Sequence, residues 1–155
     1  MSEIKITILG TTAGAPTRSR GHSAIYVTYD DGRLNKLLFD CGEGTQRQIM
    51  TAGLDLLGLE AVFITHFHGD HCLGLSGMVD TMGFDGREEE LKVYSPEPGR
   101  LNMLLGATRS MSKFPIRSVK VPFKGARISK VCDLGRFSMI SAPALHGVPA
   151  VSYAL

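Results

Sequence analysis

The chain has 155 residues, of which 43% are apolar and 21% are charged. This length suits one domain, and the composition is that of a globular protein. No run of about 18 apolar residues occurs, and the N-terminal MSEIKITILG lacks the apolar core of a signal peptide. Three widely spaced cysteines, Cys41, Cys72 and Cys132, are typical of free thiols. We therefore expect a single cytoplasmic domain over 1–155 without a membrane partner.

The formal net charge of +2 conceals an uneven distribution of charge. Residues 1–99 contain 8 basic and 14 acidic side chains, whereas residues 100–155 contain 9 basic side chains and one acidic side chain, Asp133. The spacing of the basic residues between apolar ones places them on folded elements. They can form a solvated polar face or a surface that attracts phosphates. These residues are Arg100, Arg109, Lys113, Arg117, Lys120, Lys124, Arg127, Lys130 and Arg136.

The first 60 residues predict a strand, a hairpin and a helix. Isoleucines alternate with polar residues near the start, which is typical of a strand. A DDG turn then joins two further strands into a hairpin. A segment of helical composition ends before Gly53, a residue type that commonly follows the last turn of a helix. The predicted strands cover 4–8, 24–29 and 36–40, and the helix covers 45–52.

The remainder of the chain mixes strands and helices without a regular β-α-β alternation. A short apolar run rich in β-branched residues predicts a buried strand at 61–65, directly before a histidine-rich loop. Helices are predicted at 72–82 and 101–107, and strands at 91–94, 117–121, 127–131, 136–142 and 149–155. This order favours an α/β fold with a mixed or largely antiparallel sheet.

The histidine-rich loop has the composition of a metal site. The sequence HFHGDH places three imidazoles and one carboxylate within six residues. His66 and His68 are two residues apart, so an extended segment projects them to the same side. Gly69 allows a sharp bend, after which Asp70 and His71 can face a second point. The spacing predicts two neighbouring cation positions. Imidazole and carboxylate together suit zinc, and they would also bind manganese or iron.

Two residues elsewhere are candidates to complete this site. Asp40 ends a predicted strand, where its carboxylate could orient a metal-binding histidine or simply cap a turn. His146 lies between two predicted strands, where it could supply a third imidazole or be an ordinary loop histidine. The neighbouring histidine-rich loop favours the metal-site interpretation for both Asp40 and His146.

Several motifs together resemble ribonuclease Z, the tRNA 3′-processing endonuclease of the metallo-β-lactamase fold. They are LGTT at 9–12, FDCGEGTQ at 39–46, the HFHGDH sequence and His146. The resemblance covers the whole chain but only the N-terminal half of the family pattern. It implies the first half of a metallo-β-lactamase-like αββα sandwich, which would expose one sheet face and one sheet edge.

The resemblance also implies a metal-activated hydroxide that attacks the phosphodiester of precursor tRNA, with two Zn²⁺ ions in a complete site. The first ion would be held by His66, His68 and His146, and the second partly by Asp70 and His71. Asp70 would also accept a proton from the nucleophile, as a catalytic residue.

Three further features of the family are implied. Asp40 would support the histidine loop from behind the metals. Arg18 and Arg20 lie in the loop that family members use near the tRNA 3′ end, although a solvated loop would contain the same residues. A homodimer is implied as well. The later family ligands are not found in this sequence, so we expect little activity from this chain alone.

Two alternative functions remain open from the sequence. The first is a hydrolase of the same fold that acts on a small phosphodiester or a sulfate ester. The second is a non-catalytic chain that binds metal or RNA without turnover. The basic residues of 100–155 favour RNA over a small substrate.

Overall fold

The computed structural model describes residues 3–107, 114–125 and 127–155. Ten strands and four helices lie within these residues. The strands are β1 Glu3–Thr12, β2 Gly21–His22, β3 Ala24–Asp30, β4 Leu34–Phe39, β5 Ala61–Phe63, β6 Leu91–Ser95, β7 Ile116–Lys120, β8 Ser129–Leu134, β9 Phe137–Pro143 and β10 Val151–Ala154. The helices are α1 Thr45–Thr51, α2 Gly69–Cys72, α3 Gly74–Phe84 and α4 Pro98–Ala107.

Two sheets form the framework. The larger sheet has the strand order β2-β1-β3-β4-β5-β6-β7. Its strands are antiparallel from β1 through β3 to β4 and parallel from β4 to β7. The smaller antiparallel sheet has the order β10-β9-β8. The prediction of an α/β fold with a mixed sheet is thus confirmed.

The element boundaries differ from the sequence prediction at several elements: β1 extends to Thr12 rather than to residue 8, β2 was not predicted, and two helices begin earlier than predicted. The helix predicted at 72–82 begins at Gly69 as α2 and continues as α3 after Leu73. Helix α4 begins at Pro98, earlier than the predicted 101, because the fixed φ angle of proline suits the first turn of a helix. None of the helices within the described ranges is long and apolar enough to cross a membrane.

One apolar core lies between the larger sheet and the helices. Ile49 of α1, Met78 of α3 and Leu101 of α4 are fully buried against sheet residues such as Leu38 and Val62. Each such side chain contributes about 1.5–3 kcal/mol to folding through burial. This core fixes the helical layer to one face of the sheet.

A second core lies between the two sheets. Leu37 and Phe63 of the larger sheet pack in the same cluster as Met139 and Val151 of the smaller sheet. Tyr153 of β10 donates a hydrogen bond from its hydroxyl to the carbonyl oxygen of Ile64 at 3.0 Å. The smaller sheet is therefore anchored directly beside the histidine loop.

The smaller sheet covers only part of the larger one. Val27 of β3 is buried in the second core, but Ile6, its register partner on β1, is 63% exposed. Ile4 and Ile8 are 49% and 64% exposed. The expectation that one apolar sheet face stays uncovered in this chain is confirmed at β1.

Most of the basic residues of 100–155 are described and all of those are exposed: Arg100, Arg117, Lys120, Lys124, Arg127, Lys130 and Arg136. Arg100 pairs with Glu97, and Lys130 pairs with Asp133. Arg109 and Lys113 lie outside the described residues. The prediction that these cations lie on folded elements holds for four of the seven; Lys124, Arg127 and Arg136 lie between elements.

Candidate metal centre

The candidate centre forms where two neighbouring parallel strands end. β4 and β5 pair in parallel, so the residues that follow them meet at the same edge of the sheet. Asp40 follows β4, and its backbone N–H donates to the carbonyl oxygen of Phe63 at 2.9 Å. The chain after β5 is extended up to His68 and then enters α2 at Gly69. The predicted metal loop is therefore brought directly beside Asp40.

Three imidazoles converge on one point. His66 Nε2 and His146 Nε2 each lie 3.2 Å from His68 Nδ1. One nitrogen from each of the three residues lies within 4.8 Å of the others. Since Zn–N bonds are about 2.0–2.1 Å long, a tetrahedral zinc ion holds its nitrogen ligands roughly 3.3 Å apart. The two separations from His68 Nδ1 are thus close to those that a zinc ion would impose. His146 joins the predicted loop although it follows His68 by 78 residues.

Asp70 and His71 form a separate pair beside this cluster. His71 Nε2 lies 3.5 Å from Asp70 Oδ2, and the ring centres of His71 and His66 are 4.1 Å apart. The roles of all five residues as metal ligands stay a prediction.

Asp40 is the buried hydrogen-bond acceptor of the centre. Its side chain is 5% exposed, and its Oδ1 accepts the backbone N–H of Thr65 at 2.8 Å. Its Oδ2 lies 2.7 Å from His71 Nδ1. This hydrogen bond raises the pKa of His71 above its ordinary value, against the opposing effect of burial. Asp40 also has a φ angle of 57°, a left-handed conformation that aspartate tolerates better than most residues.

The ionisation of His66 and Asp70 favours cation binding, whereas the raised pKa of His71 opposes it. Burial, followed by the nearby His71, lowers the pKa of His66 from 6.5 to about 4, so its imidazole is neutral near pH 7. Burial raises the pKa of Asp70. Hydrogen bonds, chiefly the one donated by the backbone N–H of Gly14, lower it by more, so the pKa lies below its ordinary value. The site therefore presents a neutral imidazole and a carboxylate, the forms that bind metals.

The loop of residues 13–20 contacts the candidate centre. The backbone N–H of Gly14 donates to Asp70 Oδ2 at 2.8 Å. Further along this loop, the side chains of Arg18 and Arg20 are exposed to solvent. The structure thus connects the predicted RNA-binding loop to the metal loop by a hydrogen bond, and the contact of these arginines with RNA stays a prediction.

Sequence reasoning missed Thr65 and the contact of Gly14 with Asp70. Thr65 directly precedes His66, and its hydroxyl oxygen lies 2.9 Å from His66 Nδ1. Its position between a buried strand and the first histidine was a usable signal. The Gly14 contact joins residues 56 apart in sequence, and no local pattern predicts it.

Gly42 allows the close packing beneath this centre. A Cβ atom at Gly42 would lie 2.2 Å from the carbonyl oxygen of Asp70 and 2.3 Å from the Cβ of His22. We expect Gly42→Ala to lower the free energy of unfolding by about 1–3 kcal/mol or more, because neither neighbour is a flexible side-chain tip. Urea unfolding measures this difference.

Gly77→Ala is the matched control for Gly42→Ala. Gly77 lies inside α3, and its added Cβ would meet only the Gln46 side chain at an ordinary 3.6 Å. This variant should be neutral or up to about 1 kcal/mol more stable, because alanine favours helix over glycine. Equal stability of the Gly42→Ala variant and the unsubstituted chain would contradict the packing described here.

Comparison with known structures first defines the class. The structure is similar to the metallo-β-lactamase fold protein YhfI from Bacillus subtilis, with a TM-score of 0.69 and 19% identity over 97% of this chain and 56% of that chain. It is also similar to the short form of human tRNase Z, with a TM-score of 0.78 and 26% identity over 99% of this chain and 64% of that chain. The fold is thus the metallo-β-lactamase fold, as the sequence motifs predicted.

Sequence comparison then gives the family. The family profile described as Anti-Pycsar protein Apyc1 matches residues 4–111, and the chain belongs to this family. The ribonuclease Z of Methanothermobacter thermautotrophicus is 39% identical over 150 residues, which are 97% of this chain and 47% of that protein. The resemblance to ribonuclease Z is confirmed, and the chain spans about half the length of the curated relatives it matches.

Proposed function

We propose that this chain carries the metal-binding part of an endoribonuclease that removes the 3′ trailer from precursor tRNA and leaves a tRNA 3′-OH. The observation that carries the proposal is the convergence of His66 Nε2, His68 Nδ1 and His146 Nε2 beside Asp70 and His71. The similarity of this chain to ribonuclease Z, which covers 97% of the chain, also supports the proposed cleavage of precursor tRNA.

Zinc is the metal we propose for this site. Three imidazole nitrogens are a common zinc ligand set, and the two separations of 3.2 Å from His68 Nδ1 suit zinc–nitrogen bonds. His66, His68 and His146 would hold the first ion, and Asp70 and His71 would contribute to the second. Zinc bound there would lower the pKa of water and neutralise charge on the scissile phosphodiester.

The chain's own side chains would divide the remaining work. Asp70, kept ionised by the Gly14 N–H, would accept the proton released by the attacking water. Arg18 and Arg20 are exposed in the loop of residues 13–20. Their side chains would pair with RNA phosphates near the cleavage point. The exposed cations of 100–155 would add sequence-independent attraction for RNA.

The proposal includes a homodimer, as the family resemblance implies, and a cytoplasmic location, which the three free cysteines favour. Light scattering after size-exclusion chromatography measures the oligomeric state of the purified chain. A mass that stays that of one chain at all concentrations would contradict the dimer.

The test of the proposed function is zinc-dependent cleavage of precursor tRNA. We expect little cleavage by the 155-residue chain alone, because Asp70 and His71 are the ligands that the described residues offer to the second ion. Fusion to the C-terminal half of the Methanothermobacter ribonuclease Z should restore cleavage at the trailer junction. A folded, zinc-loaded fusion that leaves precursor tRNA intact would refute the proposal, and strong cleavage by the chain alone would refute the requirement for the second half.

A second candidate function is hydrolysis of a small phosphodiester. The observation that favours it is the family match, whose description is that of an anti-Pycsar protein and names no tRNA. This candidate predicts turnover of bis(p-nitrophenyl) phosphate together with poor retention of the protein on immobilised tRNA at low salt. The endoribonuclease predicts strong retention that weakens as salt is raised.

A further inference from the structure

The hydroxyl of Thr65 lies between the candidate metal ligands and the buried carboxylate. Thr65 Oγ1 is 2.9 Å from His66 Nδ1 and 3.0 Å from each carboxylate oxygen of Asp40. The backbone N–H of Thr65 donates to the same carboxylate at 2.8 Å. Thr65 is therefore held by Asp40 through two groups, with its hydroxyl in contact with a ring nitrogen.

The chemistry of these groups fixes the direction of the hydrogen bonds. An ionised carboxylate only accepts hydrogen bonds, whereas a hydroxyl has one proton to donate and two lone pairs. Hydrogen bonds to a charged acceptor are the stronger ones, so the Thr65 hydroxyl donates to Asp40. Its lone pair is then available to accept a hydrogen bond from His66 Nδ1–H.

This direction determines which ring nitrogen of His66 is free. With the proton on Nδ1, the lone pair of His66 Nε2 points to the three-imidazole cluster, 3.2 Å from His68 Nδ1. In the opposite tautomer, Nε2 would carry a proton and could not bind a metal ion. Zinc binds a neutral imidazole through a nitrogen with a free lone pair, and Nε2 is the nitrogen of His66 that faces the cluster.

We propose that Thr65 is a positioning residue that holds His66 in the Nδ1–H tautomer, with Asp40 as the common acceptor behind both metal positions. Asp40 contacts His71 directly at 2.7 Å and His66 through Thr65. One buried carboxylate thereby orients one histidine at each of the two cation positions. The link to metal binding rests on the proposed function, whereas the tautomer of His66 does not.

The test compares Thr65→Val, which has the shape of threonine without its hydroxyl, with Thr65→Ser, which keeps the hydroxyl. Two-bond ¹⁵N–¹H spectra of the metal-free chain report the His66 tautomer directly. We expect Nδ1–H in the unsubstituted chain and in Thr65→Ser, and a gain of Nε2–H in Thr65→Val. Zinc titration should show about tenfold weaker binding for Thr65→Val and recovery to about the original affinity for Thr65→Ser.

Thr28→Val is the control, because Thr28 lies on β3 and makes none of these contacts. Thr65→Ala replaces Thr65→Val if melting experiments show that the valine variant is unfolded. A proton on His66 Nε2 in the unsubstituted chain, or an unchanged tautomer and zinc affinity in the folded Thr65→Val or Thr65→Ala variant, would overturn the proposal. A hydroxyl-dependent Nδ1–H tautomer in a chain that binds no zinc would support the assignment to Thr65 and refute the proposed metal function instead.

Discussion

His68→Ala should abolish zinc binding at the three-histidine position and, in the fusion that carries the second half of ribonuclease Z, the proposed RNA cleavage. His68 Nδ1 is the atom that both His66 and His146 approach at 3.2 Å, so its loss leaves two imidazoles without their common neighbour. We expect zinc affinity to fall by more than about 100-fold, since losing a group that merely orients a ligand already costs about 10–100-fold. Equilibrium dialysis with metal analysis measures the affinity.

The side chain of His68 is exposed, so its removal should leave the fold and the retention of RNA nearly unchanged. Leu145→Ala is the control, because Leu145 is fully exposed next to His146 and has no donor atom. Asp70→Ala should likewise abolish cleavage while RNA retention persists. Undiminished zinc binding or cleavage in the His68→Ala variant would show that the metal is bound elsewhere.

Asp40→Asn should weaken both cation positions and destabilise the fold. Asparagine tolerates the left-handed backbone of Asp40, so the substitution tests the carboxylate rather than the φ angle of 57°. Its amide N–H₂ replaces one of the two acceptor oxygens, so that either the Thr65 N–H at Oδ1 or His71 Nδ1 at Oδ2 loses its acceptor. We expect a loss of about 1–3 kcal/mol in unfolding free energy, because a buried donor loses its acceptor.

The zinc affinity of Asp40→Asn should fall by about 10–100-fold, and the loss should affect both ions because Asp40 supports a histidine at each position. Isothermal titration in the presence of a competing chelator measures it, and urea unfolding of the metal-free chain measures stability. Asp85→Asn is the matched control, since Asp85 is exposed at the end of α3. Equal stability and zinc affinity in the two variants would contradict the role of Asp40.

The sequence was sufficient to predict the local elements that carry the centre. The alternating isoleucines of β1, the hairpin of β3 and β4 and the buried strand β5 all follow from side-chain periodicity and turn residues. These signals lie within short segments, so the strands can be predicted without knowing any contact between distant residues. The exposure of Ile6 on β1 cannot be predicted from the local sequence, because it depends on how far the smaller sheet extends across the larger one.

The contacts behind the metal loop required the tertiary structure. Asp40 was predicted to support the loop, but its two partners, Thr65 and His71, depend on the parallel pairing of β4 with β5. The contact of Gly14 with Asp70 depends on a loop that crosses the sheet edge. Such contacts are set by packing between segments distant in sequence, where no periodic pattern exists.

Metal binding could be predicted from the sequence, because the residue types and spacing of His66, His68, Asp70 and His71 limit what the loop can bind. The sequence also indicated the metallo-β-lactamase fold through motifs that the comparisons confirmed. The contact of His146 with His68 is visible only in the tertiary structure, since the two residues are 78 positions apart in the sequence. The tertiary structure also decided that Thr65 lies between Asp40 and His66, because hydrogen-bond geometry arises from the packing of strand ends and is not encoded in any short segment.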